Sequence, residues 1–206
     1  MIAIVDYGMG NLGSVQNMLR KLGADSVRTS DPAEIAQASR LVLAGIGGFD
    51  GAMDRLEAAG LVEVLNEQVI ERRVPILGVC LGMQVMAQSS TEGTRHGLGW
   101  LDAEVLRFDF PEDRRLPVPH MGWEVVVPTR PSPLFELPSP EPRFYFSHAF
   151  HLVCRDSADV AATTVYGYEF VAAVHRDNIL GTQFHPEKSH VFGLDVYRRF
   201  VEFETA

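Results

Sequence analysis

Gly78-Val79-Cys80-Leu81-Gly82 ends an apolar run that begins at Pro75, and a helical pattern carrying Met83, Met86 and Ala87 follows it. A sharp strand-to-helix turn of this kind lifts its central side chain into the open. The glycines two residues to either side are needed because a Cβ there would collide with neighbouring backbone. The chemistry such a turn supports is nucleophilic attack by a thiolate. At a helix N-terminus the Cys80 sulfur meets a favourable dipole and free N–H groups. Those N–H groups, beginning with that of Leu81, are placed to bind an oxyanion. The plain alternative is a small buried hydrophobe, as free cysteines commonly are; the flanking glycines argue against it. Cys154 lacks such flanks and is read as that hydrophobe.

A thiolate that attacks a carbonyl needs a base that later serves as an acid, and a third group that holds the base in one tautomer. Among the seven histidines, His185 has the best setting. It follows an apolar run over 179–184, and rigid Pro186 separates it from Glu187, so both side chains can aim the same way. A turn histidine with an incidental acid nearby is the bland reading. His120 and His148 are rival bases, neither with a carboxylate so placed. His148 and His151 would need a third ligand to hold a metal, and on one strand they would face opposite sides, so no metal is expected.

These groups require a frame that brings distant segments together. Residues 2–5 form a short apolar run ended by Asp6 and a glycine-rich turn over 8–13. A helix follows, with Val15, Met18, Leu19 and Leu22 at i, i+3, i+4 and i+7, closed by Gly23. A second strand over 27–29 leads to a helix opened by Asp31 and Pro32. A third, over 41–44, runs into Gly45-Ile46-Gly47-Gly48. Helical patterns over roughly 51–72 precede the strand at 75–79. The alternation implies βαβ units, and so a mostly parallel sheet with helices on both faces. In such sheets chemistry sits at the carboxyl ends of the strands, where the turns after strands one, three and four should converge. From about residue 100 strands are expected over 105–108, 125–127, 143–146, 171–174 and 179–183, without long helices between them. Proline-rich stretches at 117–119 and 128–142 separate some of these. They should add mixed or antiparallel strands to one α/β domain spanning 1–206, completed by a helix with Val196, Phe200 and Phe203 on one face.

Composition narrows the function classes. A chain of 206 residues, 46% hydrophobic and 22% charged, can bury a sizeable core. A net charge of −9 and the absence of any Lys/Arg run argue against a nucleic-acid partner. No apolar stretch approaches a membrane span. The N-terminus lacks a basic flank and a cleavage site and reads as a first strand rather than a signal peptide. Two cysteines are too few for a disulfide framework, which makes a reducing, cytoplasmic setting the economical reading.

Gly78–Gly82 and His185–Glu187 resemble the Gly-x-Cys-x-Gly elbow and His-Pro-Glu tripeptide of class I glutamine amidotransferases, a flavodoxin-like α/β family. Longer strings are similar to the glutaminase subunits of imidazole glycerol phosphate synthases: Asp6-Tyr-Gly-Met-Gly-Asn11, Pro119-His-Met-Gly-Trp123, Tyr145-Phe-x-His148, and Thr182-Gln-Phe-His-Pro-Glu-Lys-Ser189. The resemblance runs through the chain in order. It implies that Cys80 attacks the side-chain amide of glutamine, that His185 protonates the departing ammonia, and that Glu187 orients His185. It implies an oxyanion site from the backbone of Gly45-Ile46-Gly47 and Leu81. It implies substrate contacts at Gln84, Glu92, Gly47 and the backbone around His148 and Ala149. Read bare, Gln84 is a solvated helix residue and Glu92 a surface acid. No cofactor is implied. The family's partner is a (β/α)₈-barrel synthase subunit in a heterodimer, and Asn11, Trp123, Tyr145 and Lys188 match positions at that interface. Their bland readings are a turn asparagine, a core tryptophan, a core tyrosine and a surface lysine. The sequence departs from the family's usual proline at Ala44, asparagine at Glu124, and hydroxyl residue and tyrosine at Ala149 and Phe150. Other functions left open are a paralogous subunit feeding ammonia to amidation of a surface-polysaccharide sugar, a stand-alone γ-glutamyl thiol hydrolase, and a non-catalytic subunit with a relic elbow.

Overall fold

The computed structural model describes residues 1–135 and 141–204, so part of the second proline-rich stretch, 136–140, lies outside the described residues. The first half alternates as the periodicity predicts. Strand β1 (Ile2–Val5) leads to helix α1 (Leu12–Lys21), β2 (Ser26–Thr29), α2 (Pro32–Ile35), β3 (Arg40–Gly45), α3 (Phe49–Ala58) and α4 (Leu61–Asn66). A π-helical turn over Glu67–Glu71 then enters β4 (Ile76–Cys80) and the short α5 (Leu81–Gln84). The later elements are β5 (Ser89–Ser90), β6 (Ala103–Arg107), β7 (His120–Val125), β8 (Val127–Pro128), β9 (Arg143–His148), β10 (Phe150–Cys154), β11 (Val160–Tyr166), β12 (Tyr168–Arg176), β13 (Ile179–Thr182) and α6 (His190–Glu202).

Eight strands form the main sheet in the order β2-β1-β3-β4-β13-β12-β11-β8. The first five in that order run parallel, and the last three are added antiparallel. Strands β1, β4 and β13 are buried along their whole length, which is why they read as unbroken apolar runs rather than alternating ones. One face packs on α3 and α4 through Phe49, Met53, Leu56, Leu61 and Leu65. The other packs on α1 and α6 through Leu12, Val15, Leu19, Val196, Tyr197 and Phe200. Each such large apolar side chain contributes roughly 1.5–3 kcal/mol by leaving water. Helix α1 stops where Gly23 takes φ +71° and the Ala24 N–H bonds back to the Leu19 carbonyl, a left-handed C-terminal cap.

The second half differs from expectation in several places. The strand expected over 125–127 is two: β7 pairs with β9 in a separate ribbon, and β8 crosses to the edge of the main sheet. Strands β10 and β11 were not foreseen. β10 joins β5 and β6 in a three-stranded sheet, and the Ala- and Thr-rich β11 gives no clean apolar alternation. The helical patterns expected over roughly 51–72 are α3 and α4, separated at Gly60, which takes φ +66°. The helix after Cys80 is only four residues long, so its leading N–H groups, not a long macrodipole, are what it presents.

Candidate active site

Cys80 ends β4 with φ 54° and ψ −111°, a conformation that costs a non-glycine residue about 1–3 kcal/mol. The neighbouring glycines make it possible. A Cβ on Gly82 would stand 1.7 Å from the Leu43 carbonyl oxygen of β3, and one on Gly78 would stand 2.8 Å from the Met83 backbone nitrogen. The turn can therefore close against β3 only with hydrogen at both positions.

His185 follows β13, the strand that lies beside β4 in register, and so reaches the same edge of the sheet. Its backbone N–H donates to the Tyr145 carbonyl at 2.9 Å. The Ser189 hydroxyl donates to the His185 carbonyl at 2.7 Å and accepts the Tyr145 N–H. The imidazole neighbours Cys80, which acts on its protonation, and bonds Glu187 Oε1 through Nδ1 at 2.8 Å, with only 2% and 3% of the two side chains exposed. Burial alone would drive protons off this ring, but the hydrogen bonds to Cys80 and Glu187 and their negative charges outweigh it and raise its pKa. The rival bases behave oppositely. Burial pushes His148 down to about 3 and His120 to about 4, leaving both neutral and weakly basic.

His120 has no carboxylate two residues away, but Glu124, on the same face of β7, reaches along the strand to bring Oε1 within 3.5 Å of its Nε2. Its Nδ1 is 3.2 Å from His148 Nε2, so it bonds another histidine rather than the sulfur. His148 and His151 do not share a strand. The chain breaks at Ala149, and both rings pack on Phe108, at 5.2 and 4.8 Å.

Cys80 is 6% exposed, and what it meets is a cavity of about 210 Å³ lined by Ile46, Gly47, Leu81, Gln84, Glu92, Pro119, Ser147, His148, Ala149 and Phe150. The expected oxyanion and substrate positions thus line one space, except Gly45, which sits behind it. Gly45 pairs with Cys80 across β3 and β4 and packs against the Tyr7 hydroxyl, 2.1 Å from where its Cβ would be. Gly47 takes φ +128°, open only to glycine at low cost. Gln84 is not a solvated helix residue. It is buried and donates to the Phe150 carbonyl at 2.9 Å and to Gln183 Oε1 at 3.1 Å. Glu92 is exposed as a residue, yet its Oε2 accepts the Phe49 N–H at 2.8 Å and caps the helix that follows the oxyanion turn. A larger cavity of about 470 Å³, lined by Arg130, His175 and Asn178 among others, lies at the amino end of β13. Its lining holds no cysteine, serine or threonine.

Outside the cavity, Trp123 is 44% exposed rather than core. It stands edge-on to the half-buried Tyr145 at 6.0 Å and stacks on His190 at 5.4 Å. Lys188 is exposed, with Nζ 5.5 Å from the Tyr145 ring centre, and Asn11 is exposed at the start of α1. Sequence reasoning missed Gln183, fully buried with Nε2 3.6 Å from Cys80 Sγ. Its position at the end of β13, one strand from Cys80, was the available signal.

The family model described as glutamine amidotransferase class-I matches residues 3–201. The chain is 46% identical over 202 residues to imidazole glycerol phosphate synthase subunit HisH 2 of Pseudomonas aeruginosa, covering 98% of this chain and 99% of that one. It is 43% identical to the subunit of the same name from Methanococcus maripaludis, with the same coverage. Among solved structures, a glutamine amidotransferase superposes with a TM-score of 0.75 at 17% identity, covering 98% of this chain and 97% of the other. The PurLQS structure from Thermotoga maritima gives 0.70 at 20% identity, with the same coverage. Among the described residues no helix is long and apolar enough to cross a membrane.

Proposed function

The chain belongs to the class I glutamine amidotransferases, and from that premise we propose that it hydrolyses glutamine at Cys80 and delivers the ammonia to a (β/α)₈-barrel synthase subunit. The products there would be imidazole glycerol phosphate and an aminoimidazole carboxamide ribotide, in histidine biosynthesis. The sulfur attacks the side-chain amide carbon, forming a C–S bond and moving the carbonyl electron pair onto oxygen. The Leu81 N–H and a backbone N–H of the Gly45–Gly47 turn hold that oxyanion; losing one such donor costs about 3 kcal/mol of barrier. The C–N bond breaks as His185 gives its proton to the departing ammonia, leaving a γ-glutamyl thioester. Water then loses a proton to His185 and attacks the same carbon, and the sulfur recovers its electron pair as glutamate leaves. Glu187 fixes the His185 tautomer throughout.

The observation that carries this reading is the strained Cys80 at the head of a cavity, beside a buried imidazole whose Nδ1 is held by Glu187. Gln84, Glu92 and the backbone of His148 and Ala149 would hold the substrate glutamine. Ammonia released into neutral water becomes ammonium and is no longer a nucleophile, so water must be excluded between the two sites. The relatives' names describe a synthase subunit, and the aromatic surface at Trp123 and Tyr145, with Asn11 and Lys188, is the proposed docking face. Glutamine hydrolysis measured alone and with the partner holding its nucleotide substrate tests the assignment. A rise with the loaded partner is expected, and equal rates refute it. Rescue of a histidine auxotroph tests the pathway.

A further inference from the structure

Gln183 has no role in the mechanism above, yet it is fully buried beside the reacting sulfur. Its backbone N–H donates to the Ala172 carbonyl at 2.8 Å, extending the main sheet by one rung and fixing where the side chain starts. The side-chain amide has only one orientation consistent with its neighbours. Both hydrogens of the Gln84 amide are used, one on the Phe150 carbonyl and one on Gln183 Oε1. Gln183 therefore has its oxygen occupied and must turn its N–H₂ toward Cys80 Sγ, 3.6 Å away. The bond network fixes this orientation. By the same accounting Gln84 is left with its carbonyl oxygen free, facing the cavity as an acceptor.

We infer that Gln183 is a further catalytic residue, a neutral N–H donor that stabilises the Cys80 thiolate while its other end fixes the Gln84 acceptor in the substrate cavity. A thiol accepts hydrogen bonds weakly and a thiolate strongly, so the contact favours the ionised sulfur. The Gln183 side chain is fully buried, and the donor carries no charge to repel the imidazolium of His185. The sulfur loses its charge when the thioester forms and regains it on hydrolysis, so the contact strengthens and weakens with the cycle. The inference rests on Cys80 being the nucleophile, and the test separates the two.

The purified full-length chain is alkylated with iodoacetamide across a pH series, and the Cys80 peptide is quantified by mass spectrometry. Q183M removes both the donor and the acceptor in a side chain of similar size. Q183N withdraws the amide from the sulfur by one methylene and serves if Q183M does not fold. In a folded variant the rate of Cys80 alkylation should fall about tenfold at each pH, because the thiolate is the reacting form. A residue that merely fills space would lower thermal stability and leave that rate unmoved. A wild-type rate well above that of Cys154, unchanged in the folded variant, overturns the Gln183 role alone. A wild-type Cys80 that alkylates no faster than Cys154 overturns the reading of Cys80 itself.

Discussion

Replacing Glu187 by Gln removes one negative charge and nothing else of substance, since the two side chains have the same shape. In the native site its Oε1 lies 2.8 Å from His185 Nδ1, and both side chains are almost entirely out of solvent. The other carboxylate oxygen has no hydrogen-bond partner among the described residues. The contact with His185 is therefore what this carboxylate does. A hydrogen bond to a charged group in such a place is worth about 1.5–3 kcal/mol, which converts to roughly ten- to a hundredfold in kcat/KM. The pH sign follows from the raised His185 pKa, to which Glu187 contributes by hydrogen bond and charge. Without that charge the ring loses its proton at lower pH, and it is the protonated ring that hands a proton to departing ammonia. The alkaline limb of the kcat/KM profile should therefore move to lower pH in E187Q. The assay is glutamate release by the partner-bound enzyme over a range of glutamine concentrations and pH. Wild-type kcat/KM with an unmoved alkaline limb would refute the orienting role of Glu187.

Three other outcomes are expected. G82A places a methyl 1.7 Å from the Leu43 carbonyl oxygen, a backbone atom that cannot yield, so the loss should exceed about 3 kcal/mol in urea unfolding; wild-type stability would disprove the close approach. Burial holds His148 down at about 3 against about 6.5 when unfolded, so between those values the unfolded chain binds one more proton and stability falls as pH falls. H148Q should flatten that slope by about one proton, or ~1.4 kcal/mol per pH unit between pH 4 and 6, as read by urea titrations at several pH values. W123A removes the half-exposed ring at the proposed docking face and should weaken partner association by about 2 kcal/mol in calorimetry, leaving the chain's own unfolding midpoint nearly unchanged.

The elbow at Cys80 and the pairing of His185 with Glu187 were legible because their constraints are local. Gly78 and Gly82 betray the elbow, and Pro186 betrays the rigid link between His185 and Glu187. The parallel half of the sheet was legible because β1, β3 and β4 are buried runs alternating with helices of correct period, whereas β13, which completes it, was read only as one of the mixed or antiparallel strands. The antiparallel half was not. β7 carries a half-buried pattern on a two-stranded ribbon, with Trp123 partly exposed, and β11 is written in Ala and Thr. Gln84 and Glu92 needed the folded chain for a different reason. Gln84 finds its acceptors on Phe150 and Gln183, and Glu92 its donor on Phe49, contacts between segments far apart in sequence.

The measurement that bears most directly on the central claim is covalent trapping of the nucleophile. A diazoketone analogue of glutamine, incubated with the enzyme and its partner and followed by peptide mapping, should add one equivalent of mass at Cys80. Glutamine should protect against it, and Cys154 should remain unmodified. Modification at Cys154, or failure to label Cys80 in an enzyme that still hydrolyses glutamine, would contradict the account.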